Sequence, residues 1–373
     1  MTSYAPLRAL LAEAGYAFVE PPVVHPASVF VELAGEDLRR RLYLTSGADG
    51  AELALRPDYT IPVALHHLAT GAAKRKANYA YLGPVFRLRA EGPGEFLQAG
   101  IESLGRTDRT AADADILKLA FAAAALLGAK KPSVRIGDSA LFVAVLDALD
   151  LNATWQRRLE RTFGDTKRLK ALIPRSSRGV AANGNPADSP SPTDAGSEPT
   201  TSKAKLRREV EDRFAATGFG IVGGRTPEEI ADRVIEKRAL AEGIGARAAN
   251  VLSAFLAISG TPDKALATLH TLAQKESLDL DKSLDRFESR TAAFQSHGID
   301  TSRLTFAADF GRRLDYYTGF VFEFFGRNRS IGPIVGGGRY DRLMALIAKP
   351  NGGAKESVPA VGFSIWLDRI AAR

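Results

Sequence analysis

The chain has 373 residues, 45% of them apolar, a formal net charge of +7 at pH 7 and no cysteine. That length suffices for one large core, or for a core with an insert. The absence of cysteine excludes disulfides and thiolate metal sites, which fits a reducing cytosol. Met1–Tyr16 lacks a basic segment followed by an apolar one, so no signal peptide is read, and the longest apolar run, around Ile116–Leu127, is too short to span a bilayer and contains Lys118. Lys and Arg are interleaved with Asp and Glu, and the densest basic stretch, Arg157–Arg178, alternates with apolar residues as a solvated helix face does. The basic balance is therefore read as surface rather than as a nucleic-acid footprint, and neither a membrane nor tRNA is an expected partner.

In chain order, Ala5–Gly15 reads as a helix closed by glycine, and Tyr16–Val24 as an extended segment broken by Pro21-Pro22. Leu42–Leu55 carries two strand-like runs around the turn Ser46–Gly50, and Tyr59–Leu68 is helical with Pro62 in its first turn. Ala77–Leu88 and Phe96–Leu104 form an antiparallel pair, Ala111–Gly128 an Ala/Leu-rich helix and Ser133–Asp138 a strand. From Leu141 to about His297 helix patterns replace strands, covering Leu141–Lys170, Leu206–Ala216, Pro227–Ala241, Ala246–Ile258, Pro262–Lys275 and Asp279–Ser296. Pro227 and Pro262 each follow a threonine, as first-turn prolines follow an N-cap. Ser176–Lys203 is rich in Ser, Pro, Gly, Asn and Asp, the composition of a mobile loop. Strands return at Leu304–Asp309, Gly319–Phe325 and Ile334–Gly337, a helix follows Tyr340, and Ala360–Ile370 is a final strand-to-helix unit. The expected fold class is α+β. Residues 1–140 and 300–373 form a discontinuous core, an antiparallel sheet flanked by helices, and residues 141–299 form a helical insertion containing the loop 176–203.

Four stretches stand out: Leu55-Arg-Pro-Asp-Tyr-Thr60; Gly83-Pro-Val-Phe-Arg87 continuing to Phe96-Leu-Gln-Ala-Gly-Ile-Glu-Ser-Leu-Gly105; Gly311-Arg-Arg-Leu-Asp-Tyr-Tyr-Thr-Gly-Phe-Val-Phe-Glu323; and Gly336-Gly-Gly-Arg-Tyr-Asp341. Each alone is ordinary: a polar sheet face, packed tyrosines, a tight turn. In this order they resemble the catalytic domain of histidyl-tRNA synthetases, which are class II aminoacyl-tRNA synthetases. More particularly, they resemble the non-catalytic branch of that family, the regulatory subunits of ATP phosphoribosyltransferase. The resemblance covers Met1–Ser139 and Leu304–Arg373 well and the helical middle loosely.

The resemblance implies a histidine site. Asp58 and Thr60, supported by Gln98, would hold the α-ammonium; Asp58 stands where a synthetase has Glu. Arg87 would meet the carboxylate, and Glu102 and Tyr317 would read the imidazole, with Tyr316, Tyr340 and Arg312 at the same pocket. The chemistry is consistent, since a zwitterion in a dry pocket needs one anion and one guanidinium, and an imidazole edge needs a carboxylate or phenol. The nucleotide side departs from the synthetase pattern. Arg89 replaces an adenine-contacting Glu, Arg313 replaces a glycine after Arg312, and Trp366 replaces the second glycine of the closing motif, Gly362-Phe-Ser-Ile-Trp-Leu-Asp-Arg369. An indole in place of a hydrogen exceeds what a packed site absorbs.

The reading that follows is a cytoplasmic, non-catalytic subunit that binds free L-histidine and forms a homodimer through the Pro21-Pro22 region. It would dock a separate short-form ATP phosphoribosyltransferase catalytic subunit at the first step of histidine biosynthesis. No tRNA-reading domain is expected beyond the closing motif. Two other readings use the same motifs, a truncated enzyme forming histidyl-adenylate and a tRNA-binding module. No cofactor is implied; the five histidines show no metal-ligand spacing, and no phosphate-binding loop or nucleophile elbow is present.

Overall fold

The computed structural model describes residues 4–33, 36–71, 75–90, 92–176, 208, 212, 226–312, 316–348 and 357–371. The loop 176–203 beyond Ser176, the expected helix 206–216 apart from Arg208 and Asp212, and Arg313 lie outside the described residues. The chain divides into two compact units. One comprises Met1–Ala148, Thr162–Thr166 and Ala254–Arg373, the other Leu149–Arg161 and Lys167–Ser253.

The first unit opens with α1 (Ala5–Glu13), β1 (Ala17–Phe18), β2 (Val24–Pro26), α2 (Ala27–Leu33), α3 (Glu36–Arg39), β3 (Leu44–Ser46), β4 (Glu52–Leu55) and α4 (Thr60–Ala69). It continues with β5 (Ala77–Phe86), β6 (Glu95–Leu104), α5 (Arg109–Leu126), β7 (Ser133–Asp138) and α6 (Ser139–Ala148). The second unit is built on α7 (Ala153–Thr162), α8 (Thr166–Ser176), α9 (Pro227–Glu242) and α10 (Gly245–Leu256). The chain then re-enters the first unit through β8 (Ser259–Gly260), α11 (Pro262–Glu276), α12 (Asp281–Ser296), β9 (Leu304–Ala307), β10 (Phe320–Phe325), β11 (Val335–Arg339), α13 (Leu343–Ala348), β12 (Ala360–Trp366) and α14 (Leu367–Ala371).

Local chemistry explains most boundaries. Pro227 opens α9 behind a capping box in which Thr226 accepts the Glu229 amide and Glu229 accepts the Thr226 amide. The helical stretch from Leu141 to Lys170 is broken into three. Asp150 adopts φ 47°, the Asn152 side chain caps α7 by accepting the Trp155 amide at 3.0 Å, and Gly164 at φ 93° separates α7 from α8. α2 and α3 were not signalled by the sequence. α2 buries Ala27, Phe30 and Leu33 on one side, a period hidden in so short a segment.

Among the described residues, nine strands form one sheet in the order β1-β5-β6-β12-β11-β10-β7-β9-β8, and β2-β4-β3 form a second. In the large sheet β1 runs parallel to β5 and β7 parallel to β9, while the other pairs are antiparallel. The short strand β8 pairs with β9, α11 packs on β9 and α12 packs on α5. Residues 254–299, all-helical by pattern, therefore belong to the first unit.

Strand alternation divides the large sheet into two chemically different faces. On one, Ile101, Phe363, Phe320, Phe322 and Phe324 lie under α5 and α12, with ring contacts from Phe121 to Phe324 at 4.6 Å and from Phe294 to Phe320 at 5.3 Å. On the other, the registers align Tyr81, Gly100 and Ser364, and Tyr79, Glu102 and Gly362, in rows across β5, β6 and β12. Two of those glycines are spatial necessities. A Cβ at Gly100 would overlap the Tyr81 hydroxyl and the Phe363 carbonyl, and one at Gly362 would overlap the Glu102 carboxyl.

The helix layer is tied to the sheet by buried charge. Arg339 donates to Asp113 of α5 through Nε at 3.0 Å and Nη2 at 2.6 Å, and to Asp341 through Nη1 at 3.0 Å. Arg290 of α12 pairs with Asp138, which caps α6 by accepting the Ala140 amide at 2.8 Å. Removing one member leaves the rest uncompensated. Arg339→Met is expected to lower stability by about 3–5 kcal/mol, read as a fall in the urea midpoint at unchanged slope.

Candidate amino-acid-binding site

The glycine-cleared face carries the polar residues. Gln98 and Glu102 are four residues apart on β6 and so share that face, and both are 1% exposed. Over them lies the segment entering α4. Asp58, Tyr59 and Thr60 are all buried, and the Thr60 hydroxyl donates to Glu102 Oε1 at 2.7 Å. Arg56 anchors this segment through Nε to the Pro84 carbonyl at 2.9 Å and Nη1 to the Pro21 carbonyl at 2.6 Å. Its guanidinium lies 4.1 Å from the Tyr59 ring, which in turn stacks on Tyr81 at 4.4 Å and 6°.

Glu102 is ringed by hydroxyls. Besides Thr60, Tyr340 donates to Oε2, and Tyr81 approaches Oε1 at 3.5 Å while bonding Ser364 Oγ at 2.9 Å. Burial pushes the Glu102 carboxyl up to about 8 against these hydrogen bonds, and Asp58 adds to the rise. Burial likewise raises Asp58, opposed chiefly by Arg87. Tyr316, Tyr317 and Tyr340 form a cluster with ring separations of 5.0, 5.8 and 6.3 Å, and burial raises the Tyr317 phenol to about 12.

Arg87 is held by its Nε donating to the Pro57 carbonyl at 2.6 Å, and Asp58 and Arg312 are electrostatic neighbours of its guanidinium. Arg312 packs on Gly336, lies 5.3 Å from the Tyr317 ring, and has Glu323 at 3.9 Å. Among the described residues, several buried polar atoms here lack a hydrogen-bond partner: Asp58 Oδ2, both amide atoms of Gln98, and Arg312 Nη1. A buried orphan of this kind costs about 1–3 kcal/mol, so a cluster containing an anion, a cation and a carboxamide fits a small polar ligand bearing both charges.

All nine residues singled out by sequence—Asp58, Thr60, Arg87, Gln98, Glu102, Arg312, Tyr316, Tyr317 and Tyr340—lie in this neighbourhood. Tyr340, rather than Tyr317, donates a hydrogen bond to Glu102. Sequence reasoning missed Tyr81, Ser364 and Arg56. The signal for Tyr81 was its phase, two residues before Gly83 on the same strand face.

Next to this polar cluster the surface is packed shut by the protein itself. Trp366 pairs with Gln98 in the ladder and so shares the Glu102 face. It is 4% exposed among Tyr59, Val63, Tyr81, Val85 and Phe96. Arg369 and Arg312 lie 4.8 and 5.7 Å from its ring. Arg89 stacks 3.4 Å from the Phe96 centroid and donates to Asp368 Oδ2 at 2.8 Å, and Arg369 donates to the Pro333 carbonyl at 2.7 Å.

A sheet-centred chain with this constellation is a member of the histidine branch of the class II fold. The family model described as histidyl-tRNA synthetase matches residues 3–180 and 231–370. In solved structures, the fold is similar to a protein of Bacillus halodurans C described as an ATP phosphoribosyltransferase regulatory subunit/histidyl-tRNA synthetase (TM-score 0.62, 21% identity, 98% of this chain and 76% of that one). It is also similar to the histidyl-tRNA synthetase of Nostoc sp. PCC 7120 (TM-score 0.60, 20% identity, 98% of this chain and 69% of that one). Closer relatives in sequence are the ATP phosphoribosyltransferase regulatory subunits of Allorhizobium ampelinum (44% identity, 95% of this chain, 93% of that one) and Agrobacterium fabrum (43%, 95% and 92%). The chain belongs to the family of ATP phosphoribosyltransferase regulatory subunits, within the histidyl-tRNA synthetase fold.

Replacing the packed indole tests its structural weight. Trp366→Ala is expected to destabilise the protein by about 3–5 kcal/mol, measured by chemical denaturation, whereas an indole held loosely over an open groove would give well under 1 kcal/mol.

Proposed function

We propose that this chain is the regulatory subunit of an ATP phosphoribosyltransferase and takes L-histidine as its feedback signal. It serves the first step of histidine biosynthesis in the cytoplasm, and the phosphoribosyl transfer itself is carried out by a separate, short-form catalytic chain. The observation that carries this reading is the contrast within one sheet face. The half suited to a zwitterion gathers buried Asp58, Gln98 and Glu102 with Arg87 and Arg312, whereas the half where a nucleotide would lie is occupied by the buried Trp366 indole, by Arg89 on Asp368 and by Arg369 on the Pro333 carbonyl; unpartnered polar atoms occur in both halves among the described residues, so the contrast is one of charge and bulk.

In the proposed complex Asp58, with Thr60 and Gln98, receives the α-ammonium. Arg87, with Arg312 nearby, receives the carboxylate. Glu102 and the Tyr316, Tyr317 and Tyr340 cluster receive the imidazole. Each contact is charge-assisted or satisfies a buried group, the arrangement that rejects apolar isosteres. Histidine controls the assembly only insofar as it binds one state better than another. A second copy of the chain is expected on the small sheet, where Val23, Val24 and Leu44 are exposed. Among the described residues no helix is long and apolar enough to cross a membrane.

Calorimetry with free histidine tests the ligand, and co-purification with a short phosphoribosyltransferase chain tests the partner. Saturable heat and a stable complex are expected. Histidine-dependent pyrophosphate–ATP exchange by this chain alone would replace the reading with an adenylate-forming enzyme. Asp58→Asn keeps the volume and removes the anion facing the ammonium. It is expected to weaken histidine binding by about 1.5–3 kcal/mol, roughly ten- to a hundredfold, with folding intact.

A further inference from the structure

The carboxyl of Glu102 is buried in the centre of the large sheet, and its contacts come from four directions. Thr60 reaches it from α4, Tyr81 from β5, and Tyr340 from the turn after β11, while β12 closes over it with Gly362 and Ser364. The titratable groups facing it more distantly are Asp58, Tyr316, Tyr317, Tyr16 and Tyr79, its ladder partner on β5, while the guanidinium groups of Arg87 and Arg312 act on Asp58. The groups that act on it most strongly are thus three hydroxyls and one further carboxyl; none is a cation. A carboxylate in such a place lacks the paired positive charge that a buried anion requires. Hydroxyls can solvate either form, since each can donate or accept.

Resting on the histidine reading above, we propose that Glu102 enters recognition as the neutral acid. Carboxyl and imidazole then hold a single proton between them, and the site takes a side chain that is a neutral, proton-accepting ring. In the complex the proton either stays on the carboxyl oxygen and is donated to a ring nitrogen, or passes to that nitrogen. In the second case an O–H bond breaks, an N–H bond forms, and the electron pair stays on the carboxylate. Both forms contain the same atoms and the same net charge, so neither needs another charge in the sheet. This assigns specificity as well. Lysine and arginine side chains arrive already charged and would leave the acid's proton without an acceptor. Apolar side chains would leave Glu102 with the hydroxyls alone.

The proton count follows with a definite sign. Glu102 in the free protein gives up its proton only near 8, and the ring of free histidine gains one near about 6.5. Between these values the two partners together carry one proton before and after binding. Above them, a proton must be taken up, and below them one must be released; affinity falls in both directions.

The experiment is titration calorimetry of the full chain with L-histidine from pH 6 to 9, in buffers of differing ionisation enthalpy, for the native protein and for Glu102→Gln. Expected are a net proton exchange close to zero at pH 7.5 and an affinity loss from pH 7 to 9 about tenfold greater in the native protein than in the variant, the ratio set by a group titrating near 8. The α-ammonium of histidine titrates equally in both cases, so the difference isolates Glu102. Uptake of close to one proton at pH 7.5, with affinity rising as the pH falls to 6, would mean an ionised Glu102 awaiting an imidazolium, and would overturn the proposal. Identical pH profiles for the two proteins would also overturn it. The proton count on the native protein decides the matter even if the variant fails to fold. Absence of saturable heat at every pH would instead remove the histidine reading itself.

Discussion

A carboxyl group buried at the middle of a sheet, faced by hydroxyls rather than by a cation, is the constraint around which this molecule is organised. Glu102 can occupy that place because Gly362 opposite it has no side chain and because Thr60, Tyr81 and Tyr340 converge on its two oxygens. Those three hydroxyls come from elements separated by up to 280 residues (Thr60 and Tyr340 being numbers 60 and 340). The carboxyl therefore helps fix how the α4 segment and the turn after β11 sit on the sheet. A satisfied polar network of this kind specifies one arrangement more sharply than apolar packing does.

The two halves of the same face differ in the side chains they gather. In the polar half, Asp58 Oδ2, the Gln98 amide and Arg312 Nη1 find no hydrogen bond among the described residues. In the other half, Arg89 donates to Asp368, Arg369 donates to the Pro333 carbonyl, and the Trp366 ring has guanidinium groups at 4.8 and 5.7 Å, although Arg89 Nη2, Trp366 Nε1 and Asp368 Oδ1 also find no hydrogen bond among the described residues. An enzyme that joins an amino acid to a nucleotide needs both halves open to ligand. A chain that responds to the amino acid alone needs only the first. Aromatic and cationic side chains occupy the second half, where dispersion and cation–π contacts around Trp366 and Phe96 contribute to the packing.

The sequence marked the residues of the candidate site more directly than it marked the topology. Asp58, Thr60, Gln98 and Glu102 were pointed to by the resemblance that the four motifs carry, and the strand period of two then puts Gln98 and Glu102 on one face of β6. The fold class could be read from two strand-rich stretches flanking a helical one, and the nine-stranded sheet with helices on one face agrees with it. What could not be read was long-range pairing. Nothing local announces that Ser259–Gly260 pairs with β9 and draws α11 and α12 into the first unit, since two residues carry no periodicity. The Tyr81 hub escaped for a related reason: its importance arises from Gly100 and Ser364, which lie beside it only once β6 and β12 are in register. The direction of Trp366 required the same register.

Alternation also explains how a buried polar cluster and a buried ion network lie on opposite faces of one sheet. Arg339 ends β11 and points to the helix side, where it binds Asp113 of α5. Its neighbour Tyr340 turns to the other side and binds Glu102. Asp341, next again, returns to Arg339 and accepts the Ala360 amide at 2.9 Å, securing the start of β12. Three consecutive residues therefore clamp the helix layer, the pocket and the closing strand through bonds that each have a full partner. Arg290 extends the clamp toward Asp138 and hence to the first turn of α6. Buried electrostatics on the helix side and hydrogen bonds on the polar side thus meet at adjacent residues of one strand end.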